Sequence, residues 1–537
     1  MAESGPAAGM LPGSHATFLL SQSAKQHGMS AMKAVHPSVC GLLCLAFTAP
    51  TLAVDRLVHQ DWRRLESEHF NVITNTPGDT PQSIINDLEL FRSVVLALTG
   101  VESVQERLPT TVVVFRRTSE FNRLTRIPNI LGYMRPTLRG NWMVSAGGSL
   151  RVEQRTIMFH EYVHHLLRSA SSVNYPSWYD EGLADMLATI HERDGRVVIG
   201  AEHEARIRTL KNSPLQVPLE KIVNTDDLSD WHPYHVSYFY AMSWALVNYL
   251  NVGHFAGTPS RVEDLQRYLA LTQAGRDRQE AFVEAFRMSP REMEDEVNEF
   301  LGERMRPVIM LPRDRFAVAK QAQPRRLDAL EMTHELAWLA MYTNHKLSRS
   351  LLEDQLEVTP RDARLTSALG VTYQLDEDYA RGAELTRAAV RMDPTQPELA
   401  IDLADLLVSW NGKACETRGP ECDDRAIEAE ANYERALSLE PDNPEAHARL
   451  ANLLRVERRK LDDAAEHVEL ALSYQRWSPP LNLLAGQIYL ALQKSGPARE
   501  HLERALYWSE SESIRKEAAT ALKKLEGAGD GSVEPEE

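Results

Sequence analysis

The chain has 537 residues, enough for roughly three to four domains. Hydrophobic residues make up 43% and charged residues 25%, ordinary globular usage that excludes a wholly disordered or collagen-like polymer. With 59 Lys+Arg against 76 Asp+Glu the formal net charge is −17, which argues against a phosphate-tracking nucleic-acid binder and against attachment to an anionic membrane through a basic face.

Residues 1–53 read as an N-terminal extension and signal peptide. Lys33 and His36 precede the apolar stretch VCGLLCLAF, Val39 to Phe47, and small residues with a proline follow up to Ala53. A basic start, a short apolar core and a small-residue exit describe a secretory signal, with cleavage placed after Ala53. The 31 residues ahead of Met32 are unusual for such a signal and fit a start at Met29 or Met32. The mature protein is therefore expected to be exported, periplasmic or secreted. No run of eighteen apolar residues appears, so no membrane-spanning segment is expected after cleavage.

Residues 54–302 mix strands and helices. HFNVIT (His69 to Thr74) alternates and is β-rich; a helical pattern then runs to Gly100. TTVVVF (Thr110 to Phe115) is a continuous β-branched run, hence a buried strand. NWMVSA (Asn141 to Ala146) is a further strand, read either as a sheet edge that an extended peptide substrate could join or as a covered strand. Beyond it the pattern is helical almost throughout, near 153–168, 177–191, 235–250, 261–273, 277–287 and 290–301. The stretch 303–327, with Pro307, Pro312 and Pro324 among many basic residues, reads as a linker.

Residues 328–526 repeat. Pro360 and Pro394 are 34 apart, with Leu369, Gly370, Tyr373 and Ala389 between them. A second copy starts near Pro479 and carries Ala485, Gly486, Tyr489, Ala498 and Ala505 at matching offsets; 444–477 is another, and 394–441 a longer one with thirteen extra residues. This is the 34-residue tetratricopeptide period, in which small residues let paired helices approach and stacked pairs bury a common core. Residues 328–358 read as a degenerate first repeat and 512–525 as a terminal cap; 527–537, acidic and Gly-rich, as a disordered tail. Of four cysteines, Cys40 and Cys44 fall in the signal. Cys415 and Cys422 sit in the polar insert, where an exported protein favours a local disulfide over two free thiols.

The chemistry is concentrated in TIMFHEYVHHLLRS. His160 and His164 are four apart, so on a helix both imidazoles project from one face and can share a zinc ion, with Glu161 beside it to hold a water. A catalytic zinc needs three protein ligands and one open position. PSWYDEGLADML supplies the third: Glu181 lies seventeen residues after His164, and Asp185 one turn further on the same face. The pairs His203–Glu204 and His334–Glu335 lack a second histidine at the required place.

The motifs HEYVH, DEGLAD and YFYAMSWALVNYL, with the upstream opening Trp62, Glu66, Ser67, His69 and Phe70, resemble the gluzincin metallopeptidases of the peptidase MA-like superfamily. The resemblance covers about residues 60–301, here fused to tetratricopeptide repeats. It implies an α+β zincin-like catalytic domain followed by an all-α solenoid. It also implies one Zn²⁺ per chain on His160, His164 and Glu181, Glu161 as general base, and Asp185 supporting a histidine ligand from behind. An oxyanion donor in this family is often a Tyr or His on a later helix: Tyr240 is the first choice, then Tyr238 and His235. The implied activity is hydrolysis of a peptide or protein substrate, with the concave face of the repeats recruiting substrate or a partner protein. The competing class is a non-catalytic repeat scaffold whose metal domain is vestigial or structural. All four positions of the motif are chemically competent, which favours the enzyme. A non-protein amide substrate fits the same chemistry. No motif names the substrate, and no G-x-M-E-N stretch marks an aminopeptidase.

Overall fold

The computed structural model describes residues 56–529, apart from 79, 101–106, 127–129, 147–151, 171–174, 229, 304–305, 416–418 and 510. The signal-peptide reading and residues 530–537 of the tail lie outside the described residues. No described helix is long and apolar enough to cross a membrane.

The chain opens with strands β1 (Arg63–Glu66) and β2 (Phe70–Thr74), helix α1 (Thr80–Thr99), strand β3 (Thr110–Phe115) and helix α2 (Thr118–Thr125). Strands β4 (Gly132–Thr137) and β5 (Gly140–Ala146) form a hairpin, and helices α3 (Val152–Ala170) and α4 (Ser177–Ala188) follow. A second hairpin, β6 (His191–Arg193) and β7 (Arg196–Ile199), precedes helices α5 (Glu204–Asn212), α6 (Leu219–Val223), α7 (Pro233–Val252), α8 (Val262–Gln273), α9 (Arg278–Phe286) and α10 (Pro290–Gly302). Strands β8 (Ile309–Pro312) and β9 (Arg325–Arg326) complete two sheets, ordered β4-β5-β3-β2-β1-β9 and β6-β7-β8.

The larger sheet is mixed: β2–β3 and β3–β5 run parallel, the other pairs antiparallel. Every residue of β3 is buried, so both its faces need cover. Val112 and Val114 face one core with residues of α1 and α3 (Phe91, Phe159, Tyr162), while Val113 and Phe115 face another with Phe121 and Leu124 of α2.

Several expectations change here. NWMVSA is not the edge, because β5 is paired on both sides; the edge strand is β4. Its sequence, GYMRPT, is a poor strand former, and Pro136 is tolerated because an edge does not require every N–H. The helical reading after residue 153 misses β6–β7, whose Asp194–Gly195 turn has both residues at positive φ, the conformation that makes Asp-Gly a hairpin signal. The stretch 303–327 is built into both sheets: β8 pairs with β7, and β9 pairs with β1. Prolines and charges mark irregular chain there, but the N–H groups of Arg313, Ala322 and Leu327 also reach acceptors on Gly195, Glu66 and Trp62.

The remaining chain is a tetratricopeptide-type array of antiparallel helix pairs: α11 (Ala329–Met341) with α12 (His345–Val358), α13 (Ala363–Leu375) with α14 (Tyr379–Met392), α15 (Pro397–Ala414) with α16 (Pro420–Leu439), α17 (Pro444–Glu457) with α18 (Leu461–Leu472), and α19 (Pro479–Ala491) with α20 (Ser495–Trp508), then α21 (Glu512–Gly529). Gly370 and Gly486 sit where a Cβ would come within 2.9 Å of the facing helix, the reason for glycine at those repeat offsets. The thirteen extra residues mostly lengthen α15 and α16; their ends are joined by a Cys415–Cys422 disulfide with Cα atoms 6.3 Å apart.

The first pair belongs to the sheet as much as to the array. Met332, Leu336, Leu339 and Ala340 of α11 share the core of Trp62, Ile73, Val113 and Phe115. Glu335 receives Arg64 Nη2 at 2.5 Å, and Trp338 lies beside Trp142. Leu336→Ala is therefore expected to cost about 2–5 kcal/mol and to lower the melting of the sheet and the array together. Thermal unfolding followed by near-ultraviolet circular dichroism checks this; an unchanged first transition would separate the two units.

Candidate metal centre

α3 carries His160, Glu161 and His164, and α4 returns antiparallel across it with Glu181 and Asp185. Gly182 sets how close α4 lies to α7. A Cβ there would meet Ser243 O at 2.3 Å and Val247 Cγ2 at 2.6 Å, so this position accepts no side chain.

The three donor atoms face one another. His160 Nε2 is 3.1 Å from His164 Nε2 and 3.2 Å from Glu181 Oε2, and His164 Nε2 is 3.6 Å from the same oxygen. Among the described residues this is the group of three metal-ligating side chains whose donors converge. Tetrahedral zinc held at about 2.0–2.2 Å spaces its donors by about 3.3–3.6 Å, which the triangle meets to within about 0.2 Å. Glu181 Oε2 and His164 Nδ1 are buried without a formed hydrogen bond, and a bound cation would account for the first of these atoms. Two histidines and a glutamate would leave one position of a tetrahedral zinc open.

Behind the triangle lies a buried ion cluster. Asp185 accepts from His160 Nδ1 at 2.9 Å, which leaves Nε2 of that ring for a ligand. Arg206 clasps Asp185 with Nε at 2.6 Å and Nη2 at 3.1 Å. His203 Nε2 stands 3.7 Å from Asp185, and Asp180 is 3.6 Å from His164 Nδ1. Burial opposes charge on all of them, yet pairing prevails at most positions. Burial pushes the Glu181 carboxyl up, but His164 and His160 hold it down to about 2. Burial also opposes ionisation of Asp185, and Arg206 and His160 hold it far below the usual carboxylate range. Burial disfavours protonated His160 and His164, but Asp185 and Asp180, with Glu181, raise both. Burial lowers His203 to about 4, so that ring is neutral near pH 7. Asp180, Glu181 and Asp185 stand beside the imidazoles, with Arg206 on Asp185 and Arg168 acting on Asp180, whose carboxyl burial pushes up; the carboxylates favour a cation or protons on the rings.

Glu161 is half-buried, one residue past His160 on α3. Tyr240 of α7 is buried with its ring 5.1 Å from the Arg206 guanidinium, so it joins the Asp185–Arg206 side of the cluster. Tyr238 is raised by burial and by Glu294 of α10, on another side of the helix. His235 packs with Trp231 and His232 at the start of α7. His165 is buried between Tyr162 and Trp477. Sequence reading missed three members: Asp180, Arg206 and His203. Asp180 adjoins Glu181 in the motif and was open to notice. Arg206 had no local signal, and the His203–Glu204 pair was set aside for want of a second histidine, because α5 and the residue before it reach Asp185 only through the fold.

No family model matches the chain, and no curated protein matches it. Solved structures resemble about a third of the chain. They include a thermophilic TPR protein of Thermus thermophilus (18% identity, covering 36% of this chain and 97% of that one, TM-score 0.32). Others are pilF of Pseudomonas aeruginosa (18%, 37% and 91%, TM-score 0.29) and PilW, described as a type IV pilus biogenesis factor (17%, 37% and 90%, TM-score 0.30).

Gly182→Ala forces α4 and α7 apart and is expected to destabilise by about 1–3 kcal/mol through overpacking. Because Glu181 is the adjacent residue, zinc retention should fall as well, measured by metal content after dialysis. Full retention at wild-type stability would show that α4 has room to shift.

Proposed function

We propose that the protein is a zinc-dependent hydrolase of peptide bonds, carried by one observation: His160, His164 and Glu181 present three donor atoms 3.1–3.6 Å apart, with His160 oriented by Asp185. When bound, zinc supplies a Lewis acid that polarises a carbonyl and makes water acidic near neutral pH. Glu161 takes the proton of the attacking water and returns it to the leaving amine. Asp185, itself fixed by Arg206, holds the tautomer and angle of His160. Tyr240 is assigned to donate a hydrogen bond to the developing oxyanion from its place in the motif alone, since its ring stands over the Arg206 guanidinium behind the donors. An extended substrate joins the sheet at β4, the edge strand against which α3 packs. An exported setting suits the disulfide between Cys415 and Cys422.

A second reading is a non-catalytic scaffold. It is favoured by the extent of the array, five helix pairs and a terminal helix among the described residues, an architecture suited to holding other proteins. Zinc content and hydrolysis separate the two readings.

Purified protein should carry near one zinc per chain, lost in His164→Ala. Glu161→Gln should keep the metal and abolish hydrolysis of a quenched peptide library; retained turnover would remove Glu161 from its role. Asp185→Asn should weaken zinc binding by about 10–100-fold. Tyr240→Phe should lower kcat far more than it raises KM, and unchanged kinetics would make it a core residue. Protons and zinc compete for the same imidazoles. Because neighbouring carboxylates raise both histidines, zinc affinity should weaken on acidification from a pH above the ordinary histidine value, measured by metal content across pH. No zinc in folded wild-type protein would favour the scaffold.

A further inference from the structure

The turn joining β4 to β5 leaves the sheet and enters the repeat array. Leu138 packs against the apolar cluster that contains Leu403 and Leu450. Arg139 Nη2 donates to Asp402 Oδ1 at 2.7 Å, its Nε donates to Glu445, and its guanidinium lies 5.4 Å from the Trp338 ring. Gln475 Nε2 donates to Thr137 O at 2.9 Å, fixing the approach to the turn. Trp338, Asp402 and Glu445 come from α11, α15 and α17, the first helices of three different pairs, so one side chain is read by three repeats.

The floor of this groove is built for a cation. The second oxygen of Asp402 accepts from Ser367 Oγ at 2.7 Å. Arg449 lies 3.6 Å from Glu445 and 3.1 Å from Asp405, and Tyr433 donates to Asp405 at 2.6 Å. Two of the three carboxylates, Glu445 and Asp405, thus share the Arg449 guanidinium before Arg139 arrives, and Asp402 is met by Ser367 and Arg139. Asp402 and Glu445 are only 14% and 11% exposed, so water compensates them poorly if that arginine leaves. Two carboxylates from different helices beside an indole face match the planar, forked donor of arginine and not the point charge of lysine.

We propose that this groove is an arginine receptor whose resting occupant is the chain's own Leu138–Arg139 turn, and that a peptide presenting an arginine on a turn competes for it. Occupancy by such a peptide releases the end of β4, the sheet edge that packs on α3, so the repeats and the sheet edge share one equilibrium. The shift equals the competitor's preference for the open form.

The probe is a head-to-tail cyclised peptide of residues 133–144, fluorescein-labelled, tested on full-length protein by anisotropy. Arg139→Ala should bind it at least tenfold more tightly than wild type, whose groove is filled. The same peptide with alanine at the Arg139 position should not bind. Adding Asp402→Asn and Glu445→Gln to the Arg139→Ala chain should reduce binding at least tenfold. Equal binding to wild type and Arg139→Ala would place the peptide elsewhere, and no binding by folded Arg139→Ala would make the contact a fixed brace; either overturns the proposal. Should Arg139→Ala not fold, hydrogen exchange in wild type decides. Millimolar argininamide should speed exchange across 132–137 relative to lysinamide, and identical rates overturn it.

Discussion

A strand buried on both faces cannot be left half-covered, and β3 is such a strand. Val112 and Val114 point to one side, Val113 and Phe115 to the other, and each pair needs an apolar partner layer. On the first side the cover includes α3, which brings the two histidines to the sheet unit. On the second side it includes α2 and the first helix of the repeat array. The helix that starts the solenoid is therefore also a layer of the sheet unit, and the boundary between the halves runs through a shared core rather than through a tether.

The candidate metal centre depends on a similar compensation, in charge. Three acids and two histidines are drawn from water within a few ångströms of one another, with Arg206 clasping Asp185 and Arg168 acting on Asp180. Such a cluster is stable only where each charge meets an opposite one. Asp185 does so through Arg206 and His160. Glu181 faces the two imidazoles at 3.2 and 3.6 Å and feels Arg206 beyond them, so its Oε2 can serve a cation held between the rings. The Gly182 contact keeps α4 close against α7, so the donor triangle is held by helix packing and not by a loop. Rigid elements of this kind suit a site whose donors must keep fixed spacing.

The array adds contacts at the far end as well. Tyr507 donates to Tyr175 O at 2.6 Å, Arg515 pairs with Asp227 at 2.7 Å, and Trp477 packs by His165 on the helix that carries His160 and His164. The repeats thus meet the sheet unit at their first pair, along the groove filled by Arg139, and at their last turns. Part of the surface on which a partner would dock is already used within the chain, and partner binding has to be considered together with that internal occupancy.

Much of this was legible in residue order, for a physical reason: local spacing controls local geometry. A four-residue interval puts His160 and His164 on one helical face, a 34-residue interval with small residues at fixed offsets makes stacked helix pairs, and the β-branched run at 110–115 makes a buried strand. The same locality explains the misses. β4 carries Gly, Arg and Pro and is a strand because β5 offers it a partner. The 303–327 stretch becomes two strands because β7 and β1 have open edges. Arg206 acquires its place at Asp185, and Arg139 its place between Asp402 and Glu445, across sequence separations that no period records. The sequence by itself determined the donor types, their helical phase and the repeat; only the tertiary structure decided which edges pair, which charges meet and which face of the array the chain itself fills, because those depend on surfaces that exist only after the chain has packed.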